Sequence, residues 1–319
     1  MSASDFTPAP GMPAAHAGGA RPHSWGAEAL WESLEPLLPG LSIEVVERLD
    51  STNSELAERL RRAERDAAQR EGREGRDRRD LGRDAGTGDA REGRGRSDDL
   101  QPQLLVATHQ TSGRGRLGRR WHAAPGASLT FSLALRLERT DWSGLSLAVG
   151  LAVVEALDPS GERLGLKWPN DLMLREAGGI GRKLGGILIE SVVIGAQRVA
   201  IVGIGINVQP QPLAESDIGI ASLSELDPGI TARDALARLG PALARALVAF
   251  QQDGFAPCIE AYARRDVLSG RAVTTTDPAM PAGIAAGVAP DGALKLVAGD
   301  TTHRVISGEV SVRPAATPR

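Results

Sequence analysis

Between positions 113 and 121 the chain reads Gly-Arg-Gly-Arg-Leu-Gly-Arg-Arg-Trp, four arginines interleaved with three glycines. Guanidinium groups are planar, permanently charged and matched to pairs of carboxylate or phosphate oxygens. The glycines leave the segment too flexible to pack as a helix. A merely solvated Arg/Gly loop is the plain alternative, so the choice rests on the rest of the chain. Lys167-Trp168-Pro169-Asn170-Asp171 sets a cation, an amide and an acid around a Trp-Pro pair. Arg182-Lys183-Leu184-Gly185-Gly186 opens an apolar strand with a lysine whose stem can reach inward. Gly203-Ile204-Gly205-Ile206-Asn207 strips side chains from another strand and permits close approach of a ligand or a neighbouring strand. Cationic donors, amides and one well-placed acid, Asp171, suit stabilisation of a transferring phosphoryl or nucleotidyl group better than proton abstraction from carbon.

Other chemistries lack their residues. There is no GxxxxGK[ST] phosphate loop, GIGIN departs from GxGxxG spacing, and no HExxH or serine elbow occurs. His109 and His122 flank the Arg/Gly stretch as local hydrogen-bonding residues. One cysteine, Cys258, excludes an intramolecular disulfide and a cysteine-built zinc site, and reads as a small packed hydrophobe. Lys+Arg 37 against Asp+Glu 40 gives a formal charge of −3, which supplies no global field for nucleic acid. With aromatics at 3%, stacking platforms for single strands are scarce as well. No basic flank precedes an apolar run and no apolar run is long enough to span a bilayer, so the expectation is a soluble cytoplasmic protein without a membrane partner.

The elements that must position these groups follow from periodicity. Residues 1–40 read as a disordered Ala/Pro/Gly tail followed by a short helix near Ala27–Leu37. Leu41–Arg48 is a predicted strand, broken by Asp50-Ser51-Thr52-Asn53. Thr52 and Glu55 have capping-box spacing for a helix to about Leu60. From 61 to 99 Arg, Asp, Glu and Gly displace apolar residues, the composition of a disordered, solvated insertion. Strands are expected at 104–108, 128–137, 184–193 and 199–208, with a helix at 145–157 and an Ala/Leu-rich helical region at 232–261 broken near Gly254 and Pro257. Short strands with an Asp291-Gly292 turn fill 268–313. This is an α+β pattern with a mixed, largely antiparallel sheet and flanking helices. The expected division is 1–40, a catalytic domain at 41–266 carrying the insertion, and a small β-barrel domain at 267–319.

Taken in order, DSTN (50–53), QTSGRGRLGRRW (110–121), GASLTFSL (126–133), KWPNDLML (167–174), RKLGGILIE (182–190) and VGIGINV (202–208) resemble the biotin–protein ligase (biotin–[acetyl-CoA-carboxylase] ligase) family, with weaker matches at 254–266 and in GEVSVR (308–313). The resemblance implies a class II synthetase-like catalytic domain with a small SH3-like barrel. It implies ATP and biotin as substrates, Mg²⁺ as cofactor, and a two-step reaction. Biotinyl-5′-AMP forms first, and biotin then passes to a lysine of a biotin carboxyl carrier protein or domain of a biotin-dependent carboxylase. Carried over residue by residue, it assigns Ser51, Thr52, Asn53, Gln110, Arg114, Gly115, Arg116, Lys183, Gly186, Leu188 and Gly203 to biotin. It assigns Arg116, Arg119, Trp121, Lys167, Asn170, Asp171 and Asn207 to ATP, and Asp171 to the metal. Lys183, Arg116 and Arg114 are the expected catalytic groups, and no dedicated general base stands out. Leu117 departs from the family, which often has arginine there. The short segment ahead of the core implies the monofunctional type without a DNA-binding domain, hence no DNA partner. Monomer and homodimer both stay open. The competing expectations are a lipoate–protein ligase or octanoyltransferase, and a nucleic-acid-binding module.

Overall fold

The computed structural model describes residues 25–81, 100–211, 219–278, 280, 282–306 and 312–314. The tail expected at 1–23 lies outside them. A short helix α1 (Ala27–Leu34) leads to strand β1 (Ser42–Leu49), helix α2 (Thr52–Leu81) and strand β2 (Gln103–Gln110). β1 and β2 pair in parallel, as a strand–helix–strand crossover requires. The Arg/Gly stretch follows as a two-stranded ribbon, β3 (Gly113–Arg114) against β4 (Arg120–Trp121). Then come β5 (Ser128–Arg136), α3 (Leu145–Leu157), β6 (Leu164–Lys167), β7 (Asp171–Leu174), β8 (Arg182–Ile194) and β9 (Gln197–Asn207). The main sheet has seven strands in the order β1-β2-β5-β9-β8-β7-β6, antiparallel at every pairing except β1–β2. The mixed, largely antiparallel sheet read from the sequence is therefore present.

Strand alternation divides the core. Leu104, Val106, Phe131 and Leu133 face the side covered by α3, where they join Val149, Val153 and Val154 in the larger cluster. α3 is apolar almost all round because a second helix layer stands behind it, α4 (Ala232–Asp253), capped by Thr231 with Asp234. Gly254, with φ of 70°, stops α4, and α5 (Ile259–Arg265) begins after a short 3₁₀ turn. On the opposite face Leu105, Ala134, Val192, Val199 and Ile201 take Leu56 and Leu60 of α2. α2 does not end near Leu60. Its helical hydrogen bonding runs on to Leu81, into the stretch expected as a disordered insertion, and 82–99 lies outside the described residues. Nor does Glu55 close a capping box with Thr52, because it pairs with Arg59 at 2.8 Å while Thr52 is engaged elsewhere.

The C-terminal strands are β10 (Ala272–Thr275), β11 (Ala282–Val288), β12 (Leu294–Ala298), β13 (Thr301–Val305) and β14 (Val312–Pro314). They form an open antiparallel sheet in the order β13-β12-β11-β10-β14, and the expected SH3-like barrel is not found. Among the described residues β13 pairs only with β12 and β14 only with β10, so the two edges do not meet. Closure depends on tilt and stagger between strands, which short alternating runs do not encode. This sheet grips the main one through the fully buried Trp168, whose indole N–H donates to the Gly292 carbonyl at 3.0 Å. A side chain at Gly292 would strike the Gly144 backbone, with its Cβ 2.6 Å from Gly144 Cα.

Where α5 gives way to the C-terminal strands, Asp266 is buried with one oxygen accepting from the Leu268 amide at 2.8 Å and the other without a partner among the described residues. Burial pushes its carboxyl up to about 6, and the Leu268 and Ser269 amides and Arg175 oppose this only in part. The folded chain then holds a proton that the unfolded chain gives up, so stability falls as pH rises from the ordinary carboxylate value to about 6. Asp266→Asn is expected to flatten that slope and to raise stability above pH 6 by roughly 2–3 kcal/mol. Denaturant midpoints at pH 4 and 7.5 for parent and variant check it; parallel pH profiles would refute it.

Candidate functional site

The main sheet, the start of α2 and the ribbon enclose a cavity of about 800 Å³, a size suited to a small-molecule ligand. Ser51, Thr52, Asn53, Gln110, Arg114, Gly115, Arg116, Arg119, Trp121, Lys167, Asn170, Asp171, Lys183, Gly186, Leu188 and Gly203 all line it. Of the residues expected at the site, only Asn207 is not on its wall. Asn207 is buried, donates to the Ala221 carbonyl at 3.1 Å and accepts from Gln211 at 3.2 Å, which ties down the segment after β9.

One end of the cavity is cationic. Lys167 and Asp171 are opposite partners where β6 turns into β7, and Gly186 of β8 lies across from Asp171. The Asp171 carboxylate receives Lys183 Nζ on Oδ1 at 2.5 Å and Lys167 Nζ on Oδ2 at 3.3 Å. Burial alone would raise the Asp171 pKa, but Lys183 and then Lys167 outweigh it and hold the carboxyl below its ordinary range. Burial pulls the Lys167 ammonium down, with Asp171 opposing and Lys183 and Arg119 reinforcing. Two ammoniums on one carboxylate leave a net positive charge in a largely dry wall. Arg116 adds another cation, its guanidinium pKa lowered by burial and by Arg119, with Asp171 opposing. Its Nη1 reaches Asn170 Oδ1 at 3.4 Å, and Asn170 itself is anchored on Ile187 O at 2.8 Å.

This donor set does not fit a protein-held Mg²⁺. Such an ion wants several oxygen ligands at short, near-octahedral distances. Asp171 offers a single carboxylate with both oxygens on ammonium groups, and no cluster of three His, Cys, Asp or Glu occurs among the described residues.

The other end of the cavity is a hydrogen-bonded lattice around the α2 N-terminus. Gln110 Oε1 accepts from the Thr52 backbone at 2.7 Å and from its hydroxyl at 3.1 Å. Ser132 Oγ donates to Asn53 Oδ1 at 2.6 Å and also lies 2.6 Å from Thr52 Oγ1. Asn53 Nδ2 donates to Leu188 O at 3.2 Å and to Glu190 Oε2 at 2.8 Å. Glu190 Oε1 in turn pairs with Arg114 at 2.9 Å, and Arg114 Nη1 donates to Ser54 at 3.1 Å. Ser132 and Glu190 were not among the expected site residues. Their signal is a hydroxyl and a carboxylate on otherwise apolar strands. Arg313 of β14 and the apolar Phe131, Ile187 and Ile204 also line the cavity unforeseen.

The glycines of GIGIN serve side chains. A Cβ on Gly203 would lie 2.2 Å from Asn53 Oδ1, and one on Gly205 would lie 2.5 Å from the Trp121 indole. The ribbon thus lays Trp121 on bare backbone, and its buried indole N–H finds no acceptor in the described structure. At the ribbon's tip a 3₁₀ turn, Arg116–Gly118, puts Leu117 at φ 57° and ψ 35°, a left-handed conformation costing an L-residue roughly 1–2 kcal/mol.

Residues 90–207 match the biotin/lipoate A/B protein ligase family, and residues 268–313 match the biotin protein ligase C-terminal domain. A biotin–[acetyl-CoA-carboxylase] ligase of Mycobacterium tuberculosis is 37% identical over 224 residues, covering 66% of this chain and 79% of the relative. The chain belongs to the biotin–protein ligase family. It is 34% identical over 217 residues to the bifunctional ligase/repressor BirA of Escherichia coli, a match spanning 66% of each chain. A variant of the biotin protein ligase from Aquifex aeolicus, solved in complex with biotin, superposes with a TM-score of 0.63 at 25% identity, covering 86% of this chain and 99% of that one.

The seat beneath Asn53 yields a steric test. Gly203→Ala is expected to cost about 1–3 kcal/mol by overpacking and to lower the melting midpoint. Adding Asn53→Ala removes the struck atom, so the double variant should lose less stability than the sum of the two single losses. Additive losses would show that the two positions do not share one space.

Proposed function

We propose that this ligase activates biotin with ATP and transfers it to a lysine of a biotin carboxyl carrier domain. The supporting observation is one cavity that joins a cluster of cations to a neutral, amide-rich end, the two halves that a biotin carboxylate bearing a ureido ring requires. The biotin carboxylate attacks the α-phosphorus of ATP, pyrophosphate departs with the bond electrons, and biotinyl-5′-AMP remains. The neutral amine of the acceptor lysine then attacks the acyl carbon, AMP leaves, and the ammonium proton passes to solvent or phosphate oxygen.

Both reactants in the first step are anions. Lys183, Lys167 and Arg116 offset their repulsion, and in a desolvated wall such charges act far more strongly than in water. Asp171 holds the two ammoniums in place before the substrates arrive, so little reorganisation is needed at reaction. Arg119 and Trp121 line the same cavity, where they would meet the nucleotide. Ser51, Thr52 and Gln110 line the amide-rich end, where they would meet the ureido ring. Magnesium carried on the triphosphate would supply further charge neutralisation as part of the substrate.

Pyrophosphate release that needs both biotin and ATP is the expected result, with no release when lipoate or octanoate replaces biotin. Labelling of a carrier domain should follow. Lys183→Ala is expected to slow single-turnover adenylation about ten- to a hundredfold, the loss of a charge-assisted contact of roughly 1.5–3 kcal/mol, with ATP affinity changed less. Unchanged adenylation would remove Lys183 from the reaction.

A further inference from the structure

On the face where α2, β8 and the ribbon converge, the Glu190 carboxylate binds two of the expected biotin residues at once. Its Oε2 accepts from Asn53 Nδ2 at 2.8 Å and its Oε1 pairs with Arg114 Nη2 at 2.9 Å. Asn53 is buried and fully engaged: both amide hydrogens are donated, to Leu188 O and Glu190, and its oxygen receives Ser132. Arg114 is half exposed and spans from Glu190 to Ser54 in the first turn of α2. Both residues are therefore linked to one another through Glu190. The ribbon itself has only two residue pairs of ladder, too few to fix its position unaided.

We propose that Glu190 is a positioning residue: its carboxylate latches the Arg/Gly ribbon, through Arg114, onto the bolted N-terminus of α2, through Asn53. The latch decides how long the ribbon stays closed over the cavity. The consequence for catalysis rests on the proposed biotin activation, because a mixed anhydride must be shielded from water until the acceptor lysine arrives. The consequence for the ribbon stands without it.

The pair is half exposed, so its strength is modest and sensitive to salt. Glu190→Gln keeps the size and an oxygen for Asn53 while deleting the charge that holds Arg114. Amide hydrogen exchange over residues 113–121, measured on the ligand-free full chain, should then run about three- to tenfold faster than in the parent. Raising the salt concentration should speed exchange in the parent and leave the variant unmoved, a response that a purely structural role would not produce. With biotin and ATP, release of the adenylate should quicken by a similar factor. Arg114→Ala combined with Glu190→Gln should behave as Arg114→Ala alone, since a latch cut at one end cannot be cut again. Additive effects, or ribbon exchange equal in parent and Glu190→Gln, overturn the proposal. Should Glu190→Gln prove poorly folded, Glu190→Asp, which keeps the charge but shortens the reach, must still loosen the ribbon, and parent-like exchange there overturns it too. If the parent forms no adenylate, the proposed biotin activation fails, while the exchange data still decide the latch.

Discussion

Two ammonium groups share one largely buried carboxylate, and the molecule is arranged so that they can. Lys167, Asp171 and Lys183 come from three successive strands, and only the hairpin register of β6 with β7 and of β7 with β8 brings their tips together. Burying cations costs free energy unless they are paired, and pairing them completely would leave nothing to attract an anionic substrate. One carboxylate between two lysines meets both demands. It lowers the cost of holding the charge in a dry wall and keeps a positive excess facing the cavity. Arg116, seated against Asn170, extends that excess toward the ribbon.

The opposite end of the cavity depends on absence. Gly203 and Gly205 are empty places in β9 into which Asn53 and Trp121 fit, so that the helix start and the ribbon can both lie flat on the sheet. A strand of this kind resembles a dinucleotide fingerprint only in letters. Its glycines admit the protein's own side chains, and the ligand space is what those side chains then outline. Ser132, Asn53, Glu190 and Arg114 form a continuous chain of hydrogen bonds across β5, α2, β8 and the ribbon.

The sequence marked the residues of the cavity wall more faithfully than the architecture. Lys167, Asn170, Asp171 and Lys183 were legible because a charged or amide residue beside a Trp-Pro pair, or at the head of an apolar strand, has no structural reason to be there. Sheet type was legible because hairpin-spaced apolar runs outnumber crossovers. What escaped detection depended on partners far along the chain. Glu190 reads as an ordinary solvent-facing strand acid until Asn53, 137 residues away, is placed beside it. Thr52 and Glu55 satisfy a local capping pattern, yet Gln110 and Arg59 take them instead. The barrel failed for a related reason: alternation identifies strands, while closure is a matter of stagger between edges. Leu81 lies well past the expected helix end because composition signals the absence of a core and says nothing against a solvated helix.

Trp168 sits between two residues of the cationic cluster's own segment and carries the turn of the C-terminal sheet on its indole. Lys167, Asn170 and Asp171 therefore share five consecutive positions with the peg on which the second sheet hangs. A C-terminal sheet borrowed from a distant relative would have to reproduce a glycine carbonyl at that peg and a turn tight enough to pass Gly144. Exchange of the C-terminal strands alone would remove the acceptor of the Trp168 indole and so disturb the segment that holds Lys167, Asn170 and Asp171. The seam between the two sheets runs beside the cationic end of the cavity.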